Sequence, residues 1–274
     1  MIKAFFIDLD GTLLEKDAEG IKQIPVHNRQ ALDRLIVNDI RVVIATGRQL
    51  DYILEINRQY GYDFDAIAYN GAMIYCDRKI RTAQSCDRNR LYDVAKSMEK
   101  ESSLIPFVVG EEPERYFRQL IKPKDKHFPN IHGLLWNPDI ADIDIFDFLG
   151  NDDNPAPFKM NIVSADFPKI KEWRTILQEK FSDYLAVYQT DEHIIEITAK
   201  DANKGLGLRY VCDYYGYQAD EIAAIGDAEN DVYMLSLTSN NYAMKNGVPE
   251  VKALASKIVT TVAEAIDDVL TVDC

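Results

Sequence analysis

Apolar and polar positions alternate along the chain in blocks that define its elements. The first block, Lys3 to Ile7 (KAFFI), is a short apolar run ending in carboxylates and a glycine, the pattern of a buried strand that delivers a loop. Pro25 then opens a helical segment with Leu32, Leu35 and Ile36 on one face, and RVVIAT (Arg41 to Thr46) reads as the next buried strand. A helix over about Tyr52 to Tyr60 is stopped by Gly61, and DAIAYN, ending at Asn70, is a third apolar run. Strands alternating with helices at this spacing predict right-handed βαβ units and a parallel sheet covered on both faces.

The rhythm changes after Asn70. GAMIYCDRKIRTAQ predicts a hairpin turning at Asp77 to Lys79, and an α+β insert follows it. In the insert, Leu91, Val94, Ala95 and Met98 share one helical face, as do Ile170, Trp173, Leu177 and Phe181. Phe158, Met160 and Ile162 alternate with Lys159 and Asn161, the signature of a half-buried strand. Tyr184 to Gln189 and His193 to Thr198 read as two antiparallel strands around a short polar turn. AKDANKG (Ala199 to Gly205) returns the chain to a helix with Leu208, Val211, Cys212 and Tyr215 in phase, closed by Gly216, and EIAAIGD (Glu221 to Asp227) is again an apolar run ending in an acid. The expected architecture is α/β: a Rossmann-like parallel-sheet core, 1–82 and 199–274, interrupted by an inserted domain, 83–198.

Composition narrows the chemistry. At 274 residues and 47% hydrophobic content the chain can bury a large core, and a formal charge of -14 disfavours nucleic acid and anionic membranes as partners. No secretory leader or membrane-length apolar run stands out, so the expected location is cytoplasmic. Cys76, Cys86, Cys212 and Cys274 show no close pairing and read as reduced, structural thiols; His27, His127, His132 and His193 form no zinc-type cluster. Tyr116, Phe117 and Trp136 read as core of the insert.

Two distant strand ends each deliver acid: Asp8 and Asp10 in DLDGT, and Asp227 and Asp231 in GDAEND. In a parallel sheet the carboxyl ends of neighbouring strands face one crevice, so these acids can converge. Clustered carboxylates repel unless a hard cation sits among them, and Mg2+ suits oxygen ligands. Each motif alone could be an ordinary turn or helix start; their joint occurrence with ATGR (Ala45 to Arg48) and NKG (Asn203 to Gly205) weakens that reading.

The four motifs, in this order and spacing, resemble the haloacid dehalogenase superfamily of phosphohydrolases. NGAMIY (Asn70 to Tyr75) followed by an insert of roughly 115 residues resembles its Cof-type subgroup with a large α/β cap. The resemblance implies that Asp8 attacks phosphorus to form an aspartyl-phosphate, with Mg2+ held by Asp8, Asp227 and the Asp10 carbonyl. It implies that the Asp10 side chain protonates the leaving group and then deprotonates water, with its pKa raised while Asp8 stays ionised. Thr46, the Gly47 and Leu9 amides, Lys204 and Asn230 would bind the transferred phosphoryl group, and Asp231 would orient Lys204 or the metal waters. Arg48 reads equally as a site residue or a surface charge, and Glu229 as a solvated helix-start acid. Ala228 and Lys245 depart from the family's usual polar and small residues, and the tail IVTTVAEAI lacks its usual asparagine and glycine.

The implied activity is hydrolysis of small phosphorylated metabolites such as sugar phosphates. A phosphosugar mutase on the same scaffold remains an alternative. So does a phospho-accepting regulatory module, against which Asp10 and the large insert argue. Oligomeric state is not legible in the sequence.

Overall fold

A computed structural model describes residues 1–17, 20–110, 115–117 and 144–272. His127, His132, Trp136 and Cys274 lie outside the described residues, as do the side chains of Tyr116 and Phe117. The chain forms two compact units, one of Met1–Ala83 with Asn203–Cys274 and one of Gln84–Ala202.

The first part of unit one contributes β1 (Ala4–Asp8), a ribbon of β2 (Glu15–Lys16) and β3 (Lys22–Gln23), α1 (Val26–Val37), β4 (Arg41–Ala45), α2 (Leu50–Tyr60), β5 (Asp65–Ala68), and the hairpin β6 (Met73–Cys76) and β7 (Lys79–Ala83). Unit two comprises α3 (Arg88–Ser97), β8 (Ile105–Gly110), β9 (Arg115–Phe117), α4 (Ile145–Leu149), β10 (Pro157–Val163), α5 (Phe167–Phe181), β11 (Leu185–Asp191) and β12 (Ile194–Ala199). The chain then returns as α6 (Lys204–Tyr215), β13 (Ile222–Gly226), α7 (Val232–Leu235), β14 (Asn241–Met244), α8 (Pro249–Leu254), β15 (Lys257–Val259) and α9 (Val262–Val272).

Unit one is built on an eight-stranded sheet in the order β15-β14-β13-β1-β4-β5-β6-β7, parallel from β15 to β5 and antiparallel through the hairpin. Every residue of β1, β5, β13 and β14 is buried, as continuous apolar runs in a doubly covered parallel sheet require. On one face Phe6, Val43, Ile67 and Ala224 pack with Leu208 and Val211 of α6, Met234 and Leu235 of α7 and Val251 of α8. α1 packs against α9. Gly61 and Gly216, both at φ 74°, end α2 and α6 in the left-handed conformation that glycine adopts without steric cost.

At the amino ends of β4 and β5 an ionic lock ties the hairpin to α6. Arg41 pairs with the buried Asp65 at 3.0 Å and stacks 4.0 Å from the Tyr215 ring centroid, while the Tyr215 hydroxyl donates to Asp65 at 2.7 Å and to Asp77 at 2.9 Å. Tyr215→Phe is therefore expected to cost about 1–3 kcal/mol, because Asp65 loses a donor where water does not replace it. A drop in the urea midpoint at unchanged slope would read this, and an unaltered midpoint would refute it.

Unit two carries an antiparallel sheet in the order β11-β12-β10-β8-β9, with α5 packed on β11 and β12. Here the alternation in β10 misleads: all seven residues are buried, Lys159 and Asn161 included. The reason lies across the strand pairs. Asn161 faces Glu196 on β12 and Phe107 on β8, and Lys159 forms a 2.9 Å ion pair with Glu196. A buried charge is tolerable when so paired. Asn161 Oδ1 has no hydrogen-bond partner.

Candidate active site

Three adjacent parallel strands set the site. β13, β1 and β4 end side by side, so that Asp227, Asp8 and Thr46 emerge together at their carboxyl ends. α6 begins at Lys204, behind an Asn203 cap whose side chain accepts the Leu206 amide at 2.8 Å. The turn after β5 reaches α6 closely: Gly71, at φ 102°, would place a Cβ 2.3 Å from the Asn203 carbonyl oxygen, so only glycine fits there. Tyr69 and Asn70 before it also take left-handed dihedrals, an unusual cost of order 1–3 kcal/mol each that the surrounding bonds must sustain.

Lys204 is fully buried and donates to Asp8 Oδ1 at 2.6 Å and to Asp231 Oδ1 at 2.7 Å. Asp231 Oδ2 accepts the Asp227 and Ala228 amides, both at 3.0 Å, so one carboxylate orients both the lysine and the backbone that carries Asp227. Thr12 Oγ1 and Asn246 Nδ2 donate to the two oxygens of Asp227 at 3.4 and 3.2 Å. Asn246 also donates to the Gly11 carbonyl at 3.0 Å. Asn230 Nδ2 donates to Asn70 Oδ1 at 2.8 Å, and its own Oδ1 is buried without a partner. Thr46 is buried and its Oγ1 accepts the Arg48 amide at 3.1 Å; Leu9 is buried directly after Asp8, and Gly47 follows Thr46 in the turn.

Asp10 stands apart from the other acids. Arg48 forks onto it, Nε to Oδ2 at 2.6 Å and Nη2 to Oδ1 at 2.7 Å, and Lys22 Nζ reaches Oδ1 at 2.5 Å. Arg48 is therefore bound to a residue of the DLDGT motif and is not a lone surface charge.

These partners reverse the expected order of acidity. Burial raises the Asp8 carboxyl well above its usual range, opposed by Lys204 and reinforced by Asp231 and Asp227. Burial also acts on Asp10, but the Arg48 and Lys22 charges outweigh it and hold Asp10 below the usual carboxylate range. The expectation of a raised Asp10 beside an ionised Asp8 is thus corrected: the cations went to Asp10, while Asp8 shares one ammonium with two other acids. Asp227 is pushed up to about 6 by burial and by Asp231.

Among the described residues, the acids that could hold a metal together are Asp8, Asp227 and Asp231, whose ligand atoms lie within 4.8 Å of one another. Once all three acids are ionised, the Lys204 ammonium between Asp8 and Asp231 leaves two negative charges uncompensated, and buried Asp8 Oδ2 has no partner. Hard oxygen donors with that charge deficit fit a divalent cation such as Mg2+. Binding must displace the proton that Asp227 keeps below about 6 and the one that the raised Asp8 carboxyl holds, so affinity for Mg2+ is expected to rise with pH from about 5 upward. Calorimetry in buffers of different ionisation enthalpy would read the released proton. Affinity independent of pH would remove Asp227 from the ligand set.

Thr12, Asn246, Asn70 and Lys22 were not singled out as site residues in the sequence. Thr12 and Asn70 end motifs already in view, whereas Asn246 lies one residue beyond Lys245, and Lys22 belongs to no motif.

Comparison with known proteins agrees with this geometry. A family profile described as haloacid dehalogenase-like hydrolase matches residues 5–270. The chain is 26% identical to phosphatase YwpJ of Bacillus subtilis, over 95% of both proteins. It is 24% identical to 5-amino-6-(5-phospho-D-ribitylamino)uracil phosphatase YitU of the same organism, over 93% of this chain and 91% of that protein. Its fold is shared with a haloacid dehalogenase-like hydrolase structure from B. subtilis (TM-score 0.82, 24% identity, 97% of this chain and 99% of that one). It is shared also with the subclass IIB sugar phosphatase BT4131 (TM-score 0.79, 20% identity, 97% and 98% covered). With acids from two distant strand ends gathered around one buried lysine, and a family match along almost the whole chain, this protein belongs to the haloacid dehalogenase-like hydrolases and is an enzyme of their phosphatase type.

Proposed function

We propose that the protein is a Mg2+-dependent phosphomonoester hydrolase for small, hydroxyl-bearing metabolites, with Asp8 as nucleophile. The observation that carries this reading is the Asp8 carboxylate itself: buried, held at one oxygen by Lys204, unpartnered at the other, and adjacent to Asp227. Asp8 and Asp227, with the Asp10 carbonyl, would hold the cation, which when bound offsets the repulsion between an incoming phosphate dianion and the carboxylate.

Asp8 attacks phosphorus and becomes an aspartyl-phosphate as the bond to the leaving oxygen breaks, and Asp10 can protonate that oxygen only once the Arg48 and Lys22 contacts that keep its carboxyl ionised are released. In the second half Asp10 removes a proton from the water that opens the acyl-phosphate, a task for which its ionised form is ready. Lys204, Thr46, the Leu9 and Gly47 amides and Asn230 supply the donors for the phosphoryl oxygens. Asn230 is half-committed to Asn70, which fixes its amide plane.

Unit two is read as the inserted module that chooses the leaving group. We place the enzyme in the cytoplasm, which the free cysteines Cys76, Cys86 and Cys212 favour. No described helix is long and apolar enough to cross a membrane.

A panel of phosphorylated metabolites assayed for free phosphate in Mg2+ and in EDTA tests the reading. Release is expected only with the metal and most strongly from sugar or polyol phosphates. An isomeric sugar phosphate in place of free phosphate would convert it to a mutase, and release unaffected by EDTA would overturn the metal assignment.

A further inference from the structure

The three acids of the cluster do not offer their oxygens alike. Asp231 has both engaged, Oδ1 by Lys204 and Oδ2 by the Asp227 and Ala228 amides. Asp8 has Oδ1 engaged by Lys204 and keeps Oδ2 without a partner. Asp227 is divided in the same way: its Oδ2 receives the Asn246 side-chain amide at 3.2 Å, while its Oδ1 receives the longer 3.4 Å bond of the Thr12 hydroxyl.

Asn246 maintains that division. Its NH2 group donates both to Asp227 Oδ2 and to the Gly11 carbonyl at 3.0 Å, and because a backbone carbonyl can only accept, the amide cannot be turned end for end. Behind Oδ2 the chain leaves no slack. Gly11, at φ 87°, approaches so closely that any Cβ there would collide with that oxygen. The loop carrying Asn246 also grips the Asp227 backbone, since the Val248 amide donates to the Asp227 carbonyl at 2.8 Å. Asp227 is thereby fixed at its amide by Asp231, at its carbonyl by Val248 and at Oδ2 by Asn246, which leaves Oδ1 as the less engaged atom.

One oxygen from each of two acids is a small ligand set. It suits Mg2+, which keeps several waters in a near-octahedral shell, whereas Ca2+ gathers about six to eight oxygens and readily takes both oxygens of one carboxylate. We infer that Asn246 is a positioning residue for cation choice: by holding Oδ2 it presents Asp227 as a one-oxygen ligand, which favours Mg2+ over Ca2+. The inference rests on the proposed Mg2+ site at Asp8 and Asp227 and deepens it. It gives a task to the loop after β14, a strand that supplies none of the acids.

The test titrates Mg2+ and Ca2+ separately into the metal-free protein by calorimetry at constant pH, for the parent and for Asn246→Leu, Asn246→Ala, Asn246→Gln and Asp227→Ala. No substrate enters, so the readout is binding alone. Leu keeps the bulk of Asn without a donor, and Ala repeats the loss without filling the space. In both, the preference for Mg2+, taken as the ratio of the two dissociation constants, is expected to fall by about 10-fold or more. Asn246→Gln keeps an NH2 group and is expected to lie between the parent and Asn246→Leu. Melting in EDTA checks the fold, and because the Asn246 side chain is exposed, Tm is expected to stay near the parental value.

An unchanged preference would overturn the inference, whether both cations bind more weakly by the same factor, which marks a merely structural contact, or neither affinity moves. Asp227→Ala separates that failure from failure of the underlying reading. If it loses both cations while the Asn246 variants keep the parental preference, the metal site stands and only the role of Asn246 falls. If it binds both as the parent does, Asp227 is not a ligand and both readings fall.

Discussion

Asp8→Asn is expected to stop phosphate release while leaving the fold intact or slightly firmer. The amide keeps the shape of the carboxylate and can still accept from Lys204, but it is no longer a competent nucleophile, so kcat should fall by about 10^4 or more. Stability should move the other way. Asp8's folded pKa is raised, so it binds a proton more tightly when folded, and stability is lost as pH rises above the unfolded value. Replacing it by a neutral amide removes that loss. Thermal melting at pH 7 in EDTA should therefore show Tm unchanged or higher, and the pH dependence of Tm reduced. Turnover of any substrate at the parental rate would end the assignment of Asp8 as nucleophile. A large fall in Tm would contradict the charge excess read from the cluster.

Lys204→Met should fail in both respects. The substitution keeps the length of the side chain but removes the one ammonium between Asp8 and Asp231. Stripping one partner from a buried ion cluster leaves uncompensated charge and typically costs about 3–5 kcal/mol. That cost should shrink as pH falls, because the orphaned acids then neutralise themselves with protons, and should shrink also on adding Mg2+. Urea unfolding at about pH 5 and 7, with and without the metal, resolves the two reliefs. Stability close to parental at pH 7 without metal would show that the lysine is dispensable to the cluster.

How far the sequence speaks depends on what each feature requires. The strands β1, β4, β5 and β13 were legible because a doubly covered parallel strand needs an unbroken apolar run, and AFFID, RVVIA, DAIA and IAAIG are such runs. Gly61 and Gly216 were legible because a helix stop needs a left-handed residue. Asp8, Asp227 and Lys204 were legible because motifs place them next to strand or helix ends, where side-chain direction is constrained. Asp10's partners were not. Which carboxylate captures Arg48 depends on the turn between β4 and α2, and Lys22 arrives on a ribbon with no periodicity to announce it. Lys159 and Asn161 failed for a related reason: alternation says which residues share a face, not whether that face meets water. Asn246 escaped because its target, Asp227, is a contact of tertiary structure alone.

The pairing of β1 with both β4 and β13 has a further consequence for synthesis. Ala4 meets Arg41 soon after it leaves the ribosome, but it meets Ile222 only when most of the chain has been made. Throughout that interval one edge of the first strand, apolar and fully buried in the finished protein, has no neighbour. The nascent chain must carry this sticky edge while the whole intervening unit is translated, which makes the late arrival of β13 the step at which chaperones or aggregation compete. On the proposed assignment the cation site is completed equally late, since Asp227 directly follows the strand that closes the edge.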